Sequence, residues 1–418
     1  MSKTEPEQQV ALDTGAKLPA SARFLSLFLN QLKDGRLLIE LPDGPVLQFG
    51  TAAAGDTSPP SVIRVHDTAM FRRVIRHGSM GFAEAYMDGQ WSTPDLSKLL
   101  IMLNRNMSHI HNTIDRNKLT NWLNRLIHIL RPNTREGSKR NIHAHYDLGN
   151  EFYSLWLDAS MTYSSALFRD SQQSLRDAQA AKYRALCESA DIGPDDHVLE
   201  IGCGWGGFAE FAAREIGCKV TGITISQQQL DYAKNRIAMA GLGDKVDFQF
   251  RDYRDVTAQY DRIVSIEMFE AVGESYWPVY FEQIRKLLKP GGRAGLQIIT
   301  IANDRFAAYR KKADFIQRYI FPGGMLPSPE KLSAQFDRAG LSLLQREDFA
   351  QDYARTLAEW HEKFLAVWPE VEALGFDKRF KQMWRYYLSY CEAGFSTGSI
   401  DVSHFTLQHK WAPSGLVR

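Results

Sequence analysis

The stretch that decides the fold is His197-Val-Leu-Glu-Ile-Gly-Cys-Gly-Trp-Gly-Gly207. Its apolar run at 198–201 predicts a buried parallel strand, and Phe208–Ala213 predicts the helix that follows. The turn between them lacks side chains at three positions, Gly202, Gly204 and Gly206. A ligand can therefore lie against bare backbone and the helix N-terminus. A purely structural turn and a dinucleotide-binding turn share this pattern, so the turn alone does not identify the ligand.

Alternation of strand and helix continues beyond this stretch. Short apolar runs predict further strands at 219–223, 246–250, 262–266 and 293–299. Helical periodicity lies between them, as in Gln227–Ala240 and Tyr276–Leu288. The pattern is typical of an α/β protein with a doubly wound, mostly parallel sheet. Phe405–His409 can add an antiparallel last strand, and the surplus residues 302–395 are expected to form a helical cap over the substrate site.

The length of 418 residues exceeds a usual single core and predicts more than one domain. Residues 1–16 are polar and are expected to be disordered, and residues 17–115 are expected to form a small α+β domain. That domain carries a predicted helix at Phe24–Leu32 and predicted strands near Leu37–Leu41 and Val46–Phe49. A basic amphipathic linker helix over 116–140 and a catalytic domain over 141–418 complete the predicted organisation.

The linker region is strongly basic. Eight cations oppose only Asp115 and Glu136, namely Arg105, Arg116, Lys118, Arg125, Arg131, Arg135, Lys139 and Arg140. Apolar residues repeat at helical spacing among them, including Trp122 and Leu126. Such a helix can lie flat on an anionic membrane, or it can pack between domains with its arginines solvated. The sequence leaves both explanations open.

Composition narrows the class of protein. The 50 Lys and Arg residues balance 49 Asp and Glu residues, so no overall charge favours a nucleic-acid partner. The four cysteines form no CxxC pair, so a structural metal site is not expected. The chain opens with polar residues and has no apolar run near 20 residues. We expect a cytoplasmic protein without a transmembrane segment, associated peripherally with the inner face of the membrane, and a homodimer is compatible with the sequence.

Seven short motifs follow one another in the catalytic region. They are His143–Asn150, Met161–Ser164, Val198–Gly207, Gly222–Ser226, Asp261–Ser265, Phe269-Glu270 with Val272-Gly273, and Tyr319–Gly323. In this order they resemble cyclopropane-fatty-acyl-phospholipid synthases and mycolic acid cyclopropane synthases, which are S-adenosylmethionine-dependent methyltransferases. The resemblance covers nearly all of 141–418. Residues 67–103 resemble, more weakly, the amino-terminal domain of the bacterial phospholipid enzymes.

The resemblance implies a binding site for S-adenosylmethionine along these motifs. The implied cofactor-binding residues are Tyr163, Ser164, Glu200, Gly202, Cys203, Gly204, Gly206, Thr224, Gln229, Asp252 and Tyr253. Many other methyltransferases end the second strand with an acidic residue that holds the ribose. Thr224 and Gln229 stand there instead, and both side chains can form hydrogen bonds.

The implied reaction begins when a cis double bond of a lipid acyl chain attacks the sulfonium methyl group. Loss of a proton from the added methyl group then closes a ring. In the family, a bicarbonate ion is thought to act as the base, held by Glu, His, Tyr, Cys and backbone amides. Glu270 and Tyr353 match two of these residues, whereas Ser165 replaces Cys, Gln297 replaces His, and Ala271 replaces a further His. Ser and Gln donate hydrogen bonds but carry no positive charge, so the ligation of bicarbonate is in doubt.

Cys391 aligns with a cysteine often regarded as catalytic in this family. The reaction needs no covalent enzyme intermediate, so a nucleophilic role and a packing role both stay open. The expected function is cyclopropane formation on phospholipid acyl chains. One alternative is C-methylation that gives methylene- or methyl-branched chains. A second alternative is a small-molecule N-methyltransferase, against which the extension over 1–140 and its basic helix argue. A third is a non-catalytic lipid-binding protein, against which the glycine turn and Glu270 argue.

Overall fold

The computed structural model describes residues 19–42, 44–51, 57–106 and 148–410. The chain divides into two compact units. In described residues, the first unit contains those up to 106 together with 377–393, and the second contains 148–376 and 394–410. The predicted disordered tail 1–16, the basic segment 116–140 and the motif residues His143–Asp147 lie outside the described residues.

The first unit contains a four-stranded sheet in the order β2-β1-β3-β4. The strands are β1 (Leu37–Glu40), β2 (Val46–Phe49), β3 (Ser61–Val65) and β4 (Trp91–Ser92). Its described helices are α1 (Ala20–Leu29), α2 (Ala69–Met87) and α3 (Leu96–Arg105). The α+β prediction and the first two strands are confirmed within one residue. The predicted helix at 24–32 is shifted, since the observed helix begins at Ala20 and ends at Leu29, with Asn30 as its C-cap.

The second unit is built on a seven-stranded sheet in the order β10-β11-β9-β8-β5-β6-β7. The strands are β5 (His197–Ile201), β6 (Lys219–Thr224), β7 (Val246–Phe250), β8 (Tyr260–Ile266), β9 (Leu288–Ile301), β10 (Leu341–Asp348) and β11 (Ile400–His409). The pairs among β5 to β9 are parallel, and β11 runs antiparallel to both of its neighbours. All five predicted parallel strands are present, and β11 contains the predicted antiparallel strand.

Helices cover both faces of this sheet. The described helices of this unit are α4 (Asn150–Trp156), α5 (Leu175–Ser189), α6 (Gly207–Phe211), α7 (Gln227–Ala240), α8 (Trp277–Leu287), α9 (Asn303–Tyr309), α10 (Pro329–Ala339), α11 (Ala350–Ala366) and α12 (Trp368–Ala373). The next helix, α13 (Lys378–Ser396), lies mainly in the first unit. Adjacent residues of β5 point to opposite faces, because Val198 packs in one buried cluster and Leu199 in the other. Both faces of the strand are therefore covered. Within the described part of the chain, no helix is long and apolar enough to cross a membrane.

The predicted cap over 302–395 is wrong in two stretches. Residues 341–348 form β10, the edge strand of the large sheet, rather than part of a cap. Only Leu341 of this strand is buried, so the strand lacks the alternating apolar pattern that would reveal it. Residues 377–393 belong to the first unit, where Arg379 pairs with Asp88 at 3.0 Å and the Tyr386 ring lies 5.8 Å from that of Tyr86.

Candidate active site

The candidate site lies at the carboxyl ends of the central strands. Strand β5 pairs with β6 on one side and with β8 on the other, so the strand order reverses at this point. Ligands of doubly wound sheets bind in the crevice outside such a switch point. The residues that follow β5, β6 and β8 are therefore brought to one edge of the sheet.

The glycine turn after β5 has one position that is open. Gly202, Gly204 and Gly206 have φ values of 83°, 51° and 83°. A Cβ atom on Gly202 would lie 2.7 Å from Met268 Cγ, and one on Gly206 would lie 2.9 Å from Phe248 Cζ. A Cβ atom on Gly204 would meet no described atom within 4 Å. The first and third glycines are therefore required by packing, whereas the backbone at Gly204 faces open space where a ligand can lie.

Glu200, the next-to-last residue of β5, is 3% exposed, and its Oε2 atom has no hydrogen-bond partner among the described residues. Burial raises the pKa of this carboxyl, and the nearby charge of Lys182 opposes that shift. A buried polar atom without a partner is uncommon and requires an explanation. The amino group of the methionine end of S-adenosylmethionine would supply the missing donor. This position fits the predicted cofactor.

The residues after β6 are also ordered by local hydrogen bonds. The Thr224 hydroxyl donates to Gln229 Oε1 at 3.0 Å, and the Ser226 hydroxyl accepts from the Gln229 backbone at 3.4 Å as the N-cap of α7. Thr224 and Gln229 thus contact each other, and their role in cofactor binding stays a prediction. Cys203 is buried in the glycine turn, and burial raises the pKa of its thiol.

Asp252 and Tyr253, which follow β7, have partners within the protein. Both oxygens of Asp252 accept from the Arg254 guanidinium, at 2.8 and 2.6 Å. The Tyr253 ring packs against Tyr280 with 5.4 Å between ring centres, and burial raises the pKa of Tyr253 to about 12. A cofactor-binding role for these two residues stays a prediction.

The loop before α5 carries the predicted Tyr163-Ser164 pair. Tyr163 packs against three buried aromatic rings, those of Tyr153, Trp156 and Trp360, at 5.2 to 5.7 Å. The Ser164 hydroxyl accepts a hydrogen bond of 2.7 Å from Lys182 Nζ. Lys182 has no exposed surface, and burial lowers its pKa to about 7, although the charges of Glu267, Asp158 and Glu200 act in the opposite direction.

A second network surrounds Glu267, which directly follows β8. Its Oε1 atom accepts hydrogen bonds from the Ser165 backbone at 2.8 Å and from Gln297 Nε2 at 2.7 Å. Its Oε2 atom accepts from the Tyr353 hydroxyl at 2.6 Å. The three donor residues are at most 7% exposed, whereas Glu267 keeps accessible surface. Three of the predicted catalytic residues therefore meet on one carboxylate.

Glu270 is not part of that network in the described hydrogen bonds. Its Oε1 atom accepts from the Ile299 backbone at 2.6 Å, and its Oε2 atom has no partner among the described residues. Burial, together with the nearby charge of Glu267, raises the pKa of Glu270 to about 8. The hydrogen bonds of Tyr353, Gln297 and Ser165 go to Glu267 rather than to Glu270, and the catalytic role of Glu270 stays a prediction.

His404 on β11 fixes the orientation of Gln297. The His404 Nε2 atom lies 3.0 Å from Gln297 Oε1, and both side chains are buried. Burial lowers the pKa of His404 to about 3, so the ring is neutral and its Nε2 carries the proton that it donates. The amide nitrogen of Gln297 therefore points to Glu267. Glu267, Lys182 and His404 were not predicted from the sequence. Of these, only Glu267 could have been found, because it directly follows a predicted strand, at the sheet edge where ligands bind.

Cys391 lies on α13 in the first unit, whereas the other predicted catalytic residues lie in the second. It is half-buried. Its role stays a prediction. Phe269 of the sixth motif packs in the apolar core against Trp277, Tyr280 and Phe281. Packing in the core alone therefore accounts for an aromatic residue at position 269.

Comparisons of the sequence with known proteins agree with this geometry. The profile of the mycolic acid cyclopropane synthetase family matches residues 133–405. The tuberculostearic acid methyltransferase UfaA1 of Mycobacterium tuberculosis is 38% identical over 391 residues, which cover 90% of this chain and 90% of that protein. The cyclopropane-fatty-acyl-phospholipid synthase of Escherichia coli K12 is 36% identical over 362 residues, which cover 82% of this chain and 87% of that protein.

Solved structures agree as well. The cyclopropane synthase MmaA2 of Mycobacterium tuberculosis is 30% identical with a TM-score of 0.61, over 64% of this chain and 97% of that chain. The mycolic acid cyclopropane synthase CmaA1, complexed with SAH and CTAB, is 29% identical with a TM-score of 0.61, over 65% of this chain and 98% of that chain.

Proposed function

Because the chain belongs to the mycolic acid cyclopropane synthetase family, we propose that it acts on the double bonds of unsaturated acyl chains in membrane phospholipids and forms cyclopropane rings. The chain is an S-adenosylmethionine-dependent methyltransferase of the cyclopropane-fatty-acyl-phospholipid synthase type. Its relatives are named for fatty acyl chains and fatty acids. The phospholipid substrate and the ring product are the parts of the proposal that experiment must test.

The observation that carries the proposal is the direct connection between the cofactor residues and the carboxylate network. Ser164 bonds to Lys182, and the next residue, Ser165, donates its backbone N–H to Glu267. On the other side, Met268 packs against Gly202 of the glycine turn. A group that accepts a proton therefore lies beside the surface expected to hold the cofactor.

S-adenosylmethionine, when bound, supplies an electrophilic methyl group on its sulfonium. Glu200, Gly204, Thr224 and Gln229 are the residues proposed to hold it. An alkene is a weak nucleophile, so the protein must align it with the methyl group and exclude water that would trap a cation. The buried aromatic rings around Tyr163 support water exclusion there.

A methylene- or methyl-branched product is a second candidate, favoured by one comparison. The relative named tuberculostearic acid methyltransferase matches 391 residues at 38% identity, against 362 residues at 36% for the Escherichia coli synthase. Both candidates share the methyl transfer and differ in which proton is lost afterwards.

Lipid analysis distinguishes these products. The protein would be expressed in a bacterial host that lacks its own synthase, and its phospholipid acyl chains would be analysed by mass spectrometry and proton NMR. We expect chains heavier by one CH2 group that show cyclopropane signals and no vinylic methylene signals. Methylene signals, or a methyl branch, would favour the second candidate. Unchanged acyl chains would contradict the proposal.

Two valine variants serve as controls for that experiment. Gly204→Val should abolish both cofactor binding, measured by calorimetry, and lipid modification, because the side chain occupies the open backbone surface. Gly241→Val is the matched control, since Gly241 also has a positive φ, of 67°, and a Cβ atom there also meets no described atom within 4 Å. It should bind and react like the wild type. Gly204→Ala, with circular dichroism of each variant, separates a blocked site from a misfolded turn.

Access to the membrane completes the proposal. An acyl chain in a bilayer is reached only by a protein that docks on the membrane surface. The basic segment 116–131 is proposed to provide this peripheral docking, with Trp122 and Leu126 in the interface and Arg125 and Arg131 at the lipid phosphates. These residues lie outside the described part of the chain, so the sequence alone supports this step.

A further inference from the structure

Glu267 occupies the position that the family resemblance gives to an external base. Tyr353, Ser165 and Gln297 were expected to donate hydrogen bonds to bicarbonate. In the structure the same three residues donate to the two oxygens of Glu267. A carboxylate of the protein itself therefore already uses the donors that a bicarbonate ion would need.

We propose that Glu267 is the proton acceptor of the reaction, so that this protein works without a bicarbonate ion. The inference rests on the proposed function, because it concerns the proton lost after methyl transfer to an alkene.

The other titratable groups of the site are less suited to this role. Glu270 accepts one described side-chain hydrogen bond, from the Ile299 backbone, and burial with the nearby charge of Glu267 raises its pKa to about 8, so its ionised form is less stabilised than one held by three donors. His404 must donate its Nε2 proton to Gln297, and the pKa of its ring lies near 3. The Tyr353 hydroxyl already donates its proton to Glu267. Glu267 is the carboxylate whose two oxygens accept hydrogen bonds from three described donors, Ser165, Gln297 and Tyr353.

The environment of Glu267 suits a general base. Burial raises its pKa above the ordinary value for glutamate, and the hydrogen bonds and the Lys182 charge limit that rise. A carboxylate whose pKa is moved toward neutrality accepts a proton more readily than an exposed one. The three hydrogen bonds also fix the orientation of the carboxylate.

The backbone at Glu267 is unusual in the same place. Its φ angle is 49°, in the left-handed region that non-glycine residues seldom adopt. Such strain is stored where the surrounding structure imposes it, often at functional sites. A glycine would adopt this conformation without strain, and it would leave the three donors facing the space of the missing side chain. The chain therefore allows a variant in which an added anion can replace the carboxylate.

The proposed reaction transfers a methyl group to the double bond and then removes one proton from it. The π electrons of the double bond form a carbon–carbon bond to the methyl group, while the carbon–sulfur bond breaks and its electron pair stays on sulfur. The positive charge then lies on the substrate. Glu267 takes one proton from the added methyl group, and the electron pair of that C–H bond closes the three-membered ring. The proton leaves the Glu267 carboxyl for solvent before the next turnover.

The test compares wild type, Glu267→Gln and Glu267→Gly on vesicles containing phospholipids with cis-unsaturated chains, in buffer depleted of bicarbonate. The wild type should keep its full rate without bicarbonate. Glu267→Gln should lose about 10²–10⁴-fold in kcat, the usual contribution of a general base, with unchanged calorimetric affinity for S-adenosylmethionine. Added bicarbonate or formate should restore part of the activity of Glu267→Gly. Glu362→Gln, at an exposed position on α11, is the matched control and should equal the wild type.

Three results would overturn the inference. They are a wild type that needs bicarbonate, a Glu267→Gln variant within a few-fold of the wild-type kcat, and a loss of cofactor affinity that parallels the loss of kcat. Thermal unfolding of each variant shows whether it is folded, and Glu267→Gly provides a second variant if Glu267→Gln is not. Absence of product from the wild type on every unsaturated lipid would contradict the proposed function instead.

Discussion

Lys182 is a lysine without exposed surface in a site that contains several carboxylates. Burial lowers its pKa to about 7, and the charges of Glu267, Asp158 and Glu200 limit that decrease. An isolated buried charge is costly, so the lysine and the carboxylates stabilise one another in the charged form. The pKa of Glu267 should therefore depend on Lys182.

Replacing Lys182 should change the pH dependence of the rate. The positive charge of Lys182 lowers the pKa of Glu267, so Lys182→Met should raise that pKa. A base must be deprotonated to act, so the acidic limb of the kcat profile should move to higher pH. The other groups at this carboxylate, which are Tyr353, Ser165, Gln297 and the neighbouring Glu270, are unchanged. The measurement is kcat against pH at saturating lipid and cofactor.

Lys234→Met, at an exposed position on α7, is the control for that profile and should leave it unchanged. A Lys182→Met profile that coincides with the wild type would mean that Lys182 only holds Ser164. A shift to lower pH would contradict the assigned electrostatics.

The sequence singled out Tyr353, Gln297 and Ser165 but not the carboxylate that accepts their hydrogen bonds. Glu267 and Glu270 are three residues apart, and the resemblance matched Glu270. Glu267 meets Tyr353 and Gln297 from a left-handed backbone conformation, with a φ of 49°, which non-glycine residues seldom adopt and which the sequence pattern did not indicate. Lys182 was missed for a different reason, because a lysine on a helix is normally exposed.

At the scale of elements, the apolar sequence pattern was sufficient to predict a strand wherever both faces of that strand are buried. Strands β5, β6 and β8 are such strands, and their apolar runs predicted them to within two residues. Strand β10 has one buried residue in eight, so its position at the sheet edge depends on pairing with β11 rather than on its own pattern. Because β10 was not recognised as a strand, the predicted cap over 302–395 included its residues 341–348.

Ser226, the N-cap of α7, lies next to residues that are proposed to bind the cofactor. Ser226 caps the helix whose first turn holds Gln229. Ser226→Ala should lower the free energy of unfolding by about 1 kcal/mol and also weaken S-adenosylmethionine binding, because Gln229 loses its fixed position against Thr224. Calorimetric titration and chemical denaturation measure the two effects.

Ser328→Ala provides a matched comparison, because Ser328 caps α10 with the same 3.4 Å hydrogen bond to a backbone N–H. It should cost a similar free energy of unfolding and leave cofactor affinity unchanged. Equal loss of affinity in both variants would mean that the effect comes from general destabilisation rather than from Gln229.

For the whole molecule, the two units differ in what they share with relatives. The two cyclopropane synthase structures cover 64% and 65% of this chain, whereas UfaA1 matches over 90% of it. The family profile begins at residue 133, so the described part of the first unit before residue 107 lies outside it. The part of the first unit before residue 107 is thus an addition to the region that the profile matches, and the basic segment 116–140 lies between the two in sequence.

The arginines of the basic segment 116–131 are expected to bind the protein to an anionic lipid surface. Arg125→Glu combined with Arg131→Glu should weaken binding to anionic vesicles strongly, because each arginine near the membrane contributes about 1 kcal/mol and the replacement reverses its charge. Salt should affect the residual binding less, since fewer charges are screened. Activity on detergent-dispersed lipid should persist, because the proposed catalytic groups lie in the second unit.

Arg176→Glu combined with Arg338→Glu, at exposed positions, changes the net charge equally and serves as the control. Cosedimentation measures binding for each protein. If both double variants bind like the wild type, the segment is a packing element between domains. If both lose binding equally, net charge governs docking.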